Sequence, residues 1–298
     1  MSLPKRQHII PKFYLEKWCV NDLLYVYDVK KRQFRQQTSI NTAVQKKYYT
    51  WIDKNGNPVI DLEKLLAFVE SHTSPVIDKI INKIEISAEE LGTLAFFISY
   101  LFVRVPKFRN ILKDDLKEFS RYFIDHHFGT VDRAKKTLNE KSFRNKTRPN
   151  LDPKKIVELF SKHEFIIKKD LLLVSSTELG SQLAQVFGSL DWCFHYASSE
   201  GSFITSDNPV SILSPQGIDS NRRPIGGLLE KGVYKFVPLG PKVCLRIGYS
   251  QDSTICSDTI PRWLIRIVNS CIALNCDRFL FSHNKALLES IIKRIKLN

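Results

Sequence analysis

The spacing of apolar and polar positions changes twice along the chain. Over the first sixty residues it predicts short elements. Pro11 suits the first turn of a brief helix through Trp18. Leu23-Leu24-Tyr25-Val26-Tyr27-Asp28 has the aromatic and β-branched character of a strand, and Lys31-Arg32 turns the chain so that residues 33–37 pair back on it. A second strand over 48–52 leads into a turn over 53–58, where Asn55-Gly56 supplies positive φ angles. From Leu62 the period lengthens to that of a helix, with apolar residues at Leu65, Leu66, Val69, Val76, Ile77, Ile80, Ile81 and Ile84. Ser74-Pro75 is expected to kink or restart it, because proline donates no backbone hydrogen bond. Ser87-Ala88-Glu89-Glu90 reads as a cap with an acidic first turn, opening a helix that ends near Val105-Pro106. Further helices are expected over 107–128, 152–163 and 170–190. Strand character then returns at 191–197, 202–206 and 210–213, and in a hairpin of 233–238 with 243–249. A helix over 260–274, a strand over 278–281 and a basic terminal helix close the chain. The pattern predicts one α+β domain over 1–298. A helical middle section, about 61–190, packs on a mixed or antiparallel sheet formed by N-terminal and C-terminal strands.

Composition supports a core, with 43% hydrophobic and 11% aromatic residues among 298. Charge changes the picture more. The chain has 45 Lys+Arg against 31 Asp+Glu, a formal +14, which favours anionic partners. Half of that excess falls between residues 133 and 155. There Arg133, Lys135, Lys136, Lys141, Arg144, Lys146, Arg148, Lys154 and Lys155 face only Glu140 and Asp152. The window reads as an exposed basic loop. Arg133, Lys135, Lys136, Lys141, Arg144, Lys146 and Arg148 are its candidate contacts to the phosphates of DNA or RNA. A solvated linker has the same composition.

Residues 1–8 are polar and carry no apolar signal core. The longest apolar stretch, 94–103, is about half of the ~20 residues a membrane span needs, so it is expected to be a core helix of a cytoplasmic protein with no membrane partner. The six cysteines show no Cys-x-x-Cys spacing and no disulfide framework, and are expected to be buried thiols in a reducing compartment. Gly-x-x-x-x-Gly-Lys-Ser/Thr, Gly-x-Gly-x-x-Gly, Gly-x-Ser-x-Gly and His-Glu-x-x-His are all absent. P-loop nucleotide hydrolysis, Rossmann redox chemistry and α/β-hydrolase chemistry are therefore disfavoured.

Candidate chemistry concentrates in few places. Thr205, Ser206, Asp207 and Asn208 stand together at the end of an apolar strand, before Pro209. Asp207 can ligate Mg²⁺ or Mn²⁺ or act as a base, with Asn208 and Ser206 orienting it. Alternatively the segment is a turn whose side chains cap backbone. His8 can ligate a metal, move a proton near neutral pH, or cap the helix it precedes. Arg104 ends an apolar helix, so its guanidinium needs Glu70, Asp207 or a substrate phosphate as partner. Glu63 and Glu70 lie seven apart on one helical face, as a metal-sharing pair or as two surface carboxylates.

Gln7-His8-Ile9-Ile10-Pro11-Lys12-Phe13-Tyr14-Leu15 resembles the opening motif of domain-of-unknown-function family 4238, and Ile204-Thr205-Ser206-Asp207-Asn208-Pro209-Val210 resembles its second hallmark. Tyr25-Val26-Tyr27-Asp28, Tyr48-Tyr49-Thr50 and Phe102-Val103-Arg104-Val105-Pro106 are similar to weaker family features, in the same order along the chain. The resemblance implies no catalytic scheme. Two functional readings follow from the residues. One is a metal-assisted nuclease or phosphodiesterase serving bacterial antiviral defence, with His8, Asp207 and Asn208 at its centre, Arg104 stabilising charge and Asp207 on the metal. The other is a non-catalytic module that binds nucleic acid or a partner protein, in which Ser206-Asp207-Asn208-Pro209 is a structural corner.

Overall fold

Strands from the two ends of the chain share one sheet, so residues 250 apart in sequence are neighbours. The computed structural model describes residues 6–52, 55, 57–140, 151–217, 225–249 and 254–296. It is a mixed α+β structure in which the helical middle separates N-terminal from C-terminal strands. The chain divides into two compact units, residues 1–108 with 174–298, and residues 109–173.

The first unit opens with β1 (Arg6–His8), the short helix α1 (Lys12–Glu16) and the hairpin of β2 (Leu23–Asp28) and β3 (Gln33–Thr38). β4 (Val44–Lys46) pairs antiparallel with β1, and β5 (Trp51–Ile52) with β6 (Pro58–Val59). The sequence pattern does not reveal β1 and β4, which are only three residues long. The expected strand over 48–52 is confined to its last two residues. Tyr48 and Tyr49 are buried and tied down by side-chain bonds instead.

α2 (Asp61–Ile81) runs through Pro75 as one helix, contrary to the expected break. Val69, Thr73, Val76, Ile77 and Ile80 are buried on both sides of the proline. Packing of that face outweighs the one backbone bond that proline removes. α3 (Ala88–Val103) starts at the expected cap. Ser87 Oγ accepts from the Glu90 N–H at 3.2 Å and the Glu90 carboxylate accepts from the Ser87 N–H at 2.9 Å. Its buried Leu94, Phe97, Ile98 and Leu101 make it the expected core helix. No single helix among the described residues is long and apolar enough to cross a membrane.

The second unit contains most of α4 (Pro106–Phe128), then α5 (Val131–Asn139) and α6 (Pro153–Lys162). Thr130 and Asp152 cap the latter two. Phe160 packs between Phe128 and Phe165, with ring centroids 5.3 and 5.8 Å away. The basic window was expected to be a loop, yet Arg133, Lys135 and Lys136 lie on α5. Its alanine and threonine, Ala134 and Thr137, are buried in place of large apolar residues. That explains why periodicity missed it. Lys141, Arg144, Lys146 and Arg148 lie outside the described residues.

α7 (Lys169–Gly188) leads into the C-terminal strands β7 (Asp191–Ala197), β8 (Thr205–Ser206), β9 (Ser211–Leu213), β10 (Tyr234–Gly240), β11 (Val243–Gly248) and β12 (Ile255–Ile260). These are followed by α8 (Arg262–Asn275), β13 (Phe279–Ser282) and α9 (Lys285–Ile295). A five-stranded sheet has the order β12-β7-β11-β10-β9, antiparallel except for β12 on β7. The four-stranded sheet, β3-β2-β13-β8, joins the two ends of the chain. β12 escapes the sequence pattern because it is an edge strand whose residues are exposed up to Ile260. It also overturns one expectation about the thiols: Cys193 on β7 and Cys256 on β12 face each other and are joined as a disulfide. Cys244 and Cys271 are buried thiols, as expected.

Candidate functional site

β1 is held by residues 49–50, by α2 and by the residue that caps α3. Gln7 is buried, and its amide is fully engaged. Nε2 donates to Thr50 Oγ1 at 3.0 Å and to Glu63 Oε2 at 2.7 Å, while Oε1 accepts from the Tyr49 N–H at 2.7 Å. One residue on, the backbone carbonyl of His8 accepts from Arg104 Nη2 at 2.7 Å and from the Tyr49 hydroxyl at 3.2 Å. Arg104 is buried at the C-terminal end of α3 and spends its other donors on Glu70 Oε1, 2.7 Å, and Tyr49 Oη, 2.8 Å. Burial opposes the guanidinium charge, but Tyr49 and Glu70 outweigh it and hold the pKa above its ordinary value. Of the two carboxylates that the sequence left open, Glu70 is the one Arg104 uses. Glu63 and Glu70, two turns apart on α2, thus grip Gln7 and Arg104 respectively. The hub of this network is Gln7, which sequence reasoning passed over for its neighbour. The signal was present, since Gln7 leads the opening motif.

The His8 ring lies beside this network. Its Nε2 is buried and has no hydrogen-bond partner among the described residues. Burial lowers its pKa, against the Ser39 backbone and Glu70, so the neutral imidazole is favoured.

Asp207 and Asn208 sit at a corner after β8 and join other segments. Asp207 Oδ1 accepts from the Asp277 N–H at 2.9 Å, and Oδ2 accepts from the N–H groups of Arg278 and Phe279 at 2.8 and 3.0 Å. Burial pushes this carboxyl up to about 6; the three N–H donors oppose the shift and the Asp277 charge adds to it. Asn208 Nδ2 donates to the Asn275 carbonyl at 2.9 Å, and its N–H donates to Ser206 Oγ at 3.1 Å. These side chains cap backbone, as in the structural alternative, but mainly the backbone of the distant segment 275–279. Next to them Arg278 makes a two-pronged contact with the buried Asp28, at 2.8–3.2 Å. Arg35 and Arg278 both lie over the Phe279 ring, 5.0 and 4.8 Å from its centre.

The two motifs also touch directly. The Tyr14 hydroxyl donates to the Pro238 carbonyl at 2.5 Å and lies 2.8 Å from Thr205 Oγ1. Asp207 also lines a cleft of about 380 Å³, together with Ile9, Arg35, Pro106, Arg278 and Phe279 among others. The segments holding His8, Arg104 and Asp207 therefore meet at one cleft. Of the three, only Asp207 lines it. The Arg104 side chain is engaged with Glu70 and Tyr49, and the His8 ring lies beside that network with only its backbone carbonyl in it.

The basic candidates belong to the 109–173 unit. Arg133, Lys135 and Lys136 on α5, and Lys154 and Lys155 on α6, are exposed. Arg133 donates to the Asp125 carbonyl at 2.9 Å. α4 of the same unit carries an exposed aromatic row at helical spacing, Phe119, Tyr122, Phe123 and His126. Phe119 stacks on Phe123 and Tyr122 on His126, with centroids 6.5 and 6.1 Å apart. Composition and periodicity did not single out this row.

A family model described as protein of unknown function (DUF4238) matches residues 6–286, and the chain belongs to that family. Neither a curated protein nor a solved structure matches the chain.

Proposed function

We propose that this member of the family is a non-catalytic nucleic-acid-binding protein whose 109–173 unit holds single strands. The observation that carries the reading is the exposed aromatic row of α4 in a unit with 16 Lys+Arg against 10 Asp+Glu. That net +6 in 65 residues compares with +8 in the other 233. Phe119 and Tyr122 are 65% and 70% exposed, an expensive way to display rings unless something stacks on them. Lysines and arginines neutralise phosphates regardless of sequence, and exposed rings accept unpaired bases of any kind. A duplex hides its base faces, so the combination favours single strands.

The nuclease reading is the weaker one. Arg104, Asp207 and Asn208 are each engaged with other parts of the chain, and His8 does not line the cleft that Asp207 lines. A Mg²⁺ or Mn²⁺ ion on Asp207 would compete with three backbone N–H donors.

Fluorescence anisotropy of a labelled oligothymidine at several salt concentrations tests the proposal. Affinity should fall with salt at a log–log slope of about −0.7 per phosphate contact. Reversing Lys135, Lys136, Lys154 and Lys155 to glutamate should flatten that slope, and a duplex of equal length should bind more weakly. A wild-type chain that binds neither strand nor duplex at low salt would refute it.

A further inference from the structure

β7 and β12 run parallel and in register, with Cys193 opposite Cys256 and His195 opposite Asp258. Side chains alternate along a strand, so all four project from the same face of the sheet. Cys193 and His195 are buried, whereas Cys256 and Asp258 stand exposed on the edge strand. His195 Nδ1 and Asp258 Oδ1 are 2.5 Å apart. The donor atoms of Cys193, His195 and Asp258 all lie within 4.8 Å of one another, and the Cys256 sulfur is joined to that of Cys193.

We propose that, when the Cys193–Cys256 pair is reduced, Cys193, His195, Cys256 and Asp258 bind one Zn²⁺ through two thiolates, an imidazole nitrogen and a carboxylate oxygen. A disulfide between neighbouring strands requires only the two cysteines. The next register position adds an imidazole and a carboxylate on the same face, which completes a four-donor set of the kind zinc takes. Zinc bonds of about 2.0–2.3 Å separate tetrahedral donors by roughly 3.3–3.8 Å, so side-chain rotation closes the set without moving a strand. Two thiolates and an imidazole also select zinc over Mg²⁺ or Ca²⁺, which prefer oxygen. Binding releases the thiol protons.

The metal-bound and disulfide states exclude each other. In passing from one to the other, the two thiolates form the S–S bond and give up two electrons to a two-electron oxidant such as hydrogen peroxide. The peroxide O–O bond breaks, two protons are taken up, and two waters leave. Zinc keeps its oxidation state and is released. The site is thus a metal site gated by oxidation, independent of the nucleic-acid reading of the other unit.

The experiment is a Co²⁺ titration of the intact, reduced, desalted chain, followed by displacement with Zn²⁺. One equivalent of Co²⁺ should produce thiolate-to-cobalt charge-transfer absorption together with the intense visible bands of a tetrahedral ion. Cys193→Ser or Cys256→Ser should weaken binding by more than the about 10–100-fold that loss of an outer supporting group costs. Asp258→Asn, an exposed change that should leave the circular dichroism as in wild type, should also weaken it and alter the visible bands. Peroxide added to the zinc-loaded chain should release one Zn²⁺ to a chromogenic chelator for every two thiols lost. The proposal is overturned if the folded, reduced chain takes up neither ion. Unchanged uptake in the Cys193→Ser/Cys256→Ser double variant, or a pair that cannot be reduced without unfolding the chain, overturns it equally.

Discussion

Asp207 and Phe279 bind each other twice. The Asp207 N–H donates to the Phe279 carbonyl at 3.0 Å, and Asp207 Oδ2 accepts from the Phe279 N–H at 3.0 Å. One residue thus extends the pairing of β8 with β13 beyond its last ladder position, using its backbone and its side chain. The same carboxylate takes the N–H groups of Asp277 and Arg278, so it orders the turn that delivers Arg278 to Asp28. The second family motif is in this way a joint between sheet and helix.

Asp207→Ala should cost about 2–4 kcal/mol of stability, since three partly buried N–H donors lose a charged acceptor. Urea denaturation measures the loss. Thermal melts of the wild type with and without Mg²⁺ or Mn²⁺ should coincide. A rise in Tm on adding either ion would instead restore a metal role for this carboxylate.

The pH dependence of the same group has a definite sign. Its folded pKa of about 6 lies above the roughly 3.9 of an unfolded aspartate, so the folded chain holds the proton more tightly. Its contribution is fully present below about pH 4 and is lost as pH rises through about 6. Denaturation midpoints of wild type and Asp207→Asn at steps from pH 4 to 7 isolate the effect, because other groups cancel in the difference. Wild type should lose ground to the variant across that window, and parallel curves would contradict the assignment.

Arg104→Ala should destabilise the chain by about 3–5 kcal/mol, because Glu70 would keep a partly buried charge without its partner. Arg104→Lys keeps the charge, but one ammonium cannot span Glu70, Tyr49 and the His8 carbonyl together. Its expected cost is roughly 1–3 kcal/mol. Equal urea midpoints for the alanine variant and wild type would mean that this network contributes nothing to folding.

Phe119→Ala and Tyr122→Ala should each weaken single-strand binding by about 1–3 kcal/mol, the usual contribution of one stacked base. The salt slope should stay as in wild type, since no charge is removed. Both rings are largely exposed, so Tm should hardly move. An affinity insensitive to both changes would leave charge alone to explain binding.

The chain's own pattern was enough for the α+β class, for helices across the middle and for the capping box at Ser87. These depend on periodicity and on contacts between residues three or four apart. The Leu23–Asp28 hairpin was legible for the same reason: its partner strand lies one turn away. Periodicity failed where the local signal was weak, as for α5 with its small buried residues and for the exposed edge strand β12. It also misjudged Pro75, whose local penalty is outweighed by burial on both sides.

The candidate residues divide along the same line. The sequence by itself determined that His8, Arg104, Asp207 and Asn208 were unusual, because polar groups bordering apolar runs need partners. It left Arg104 with two possible carboxylates, and only the tertiary structure decided for Glu70. Only the folded chain could bring Gln7 to Glu63, Asp207 to residues 277–279, and Cys193 with His195 to Cys256 with Asp258. Those pairings span 56 to 72 residues. At such separations, which partner a polar side chain meets is set by sheet register and helix packing, which depend on the burial of the whole core and on no local run of residues.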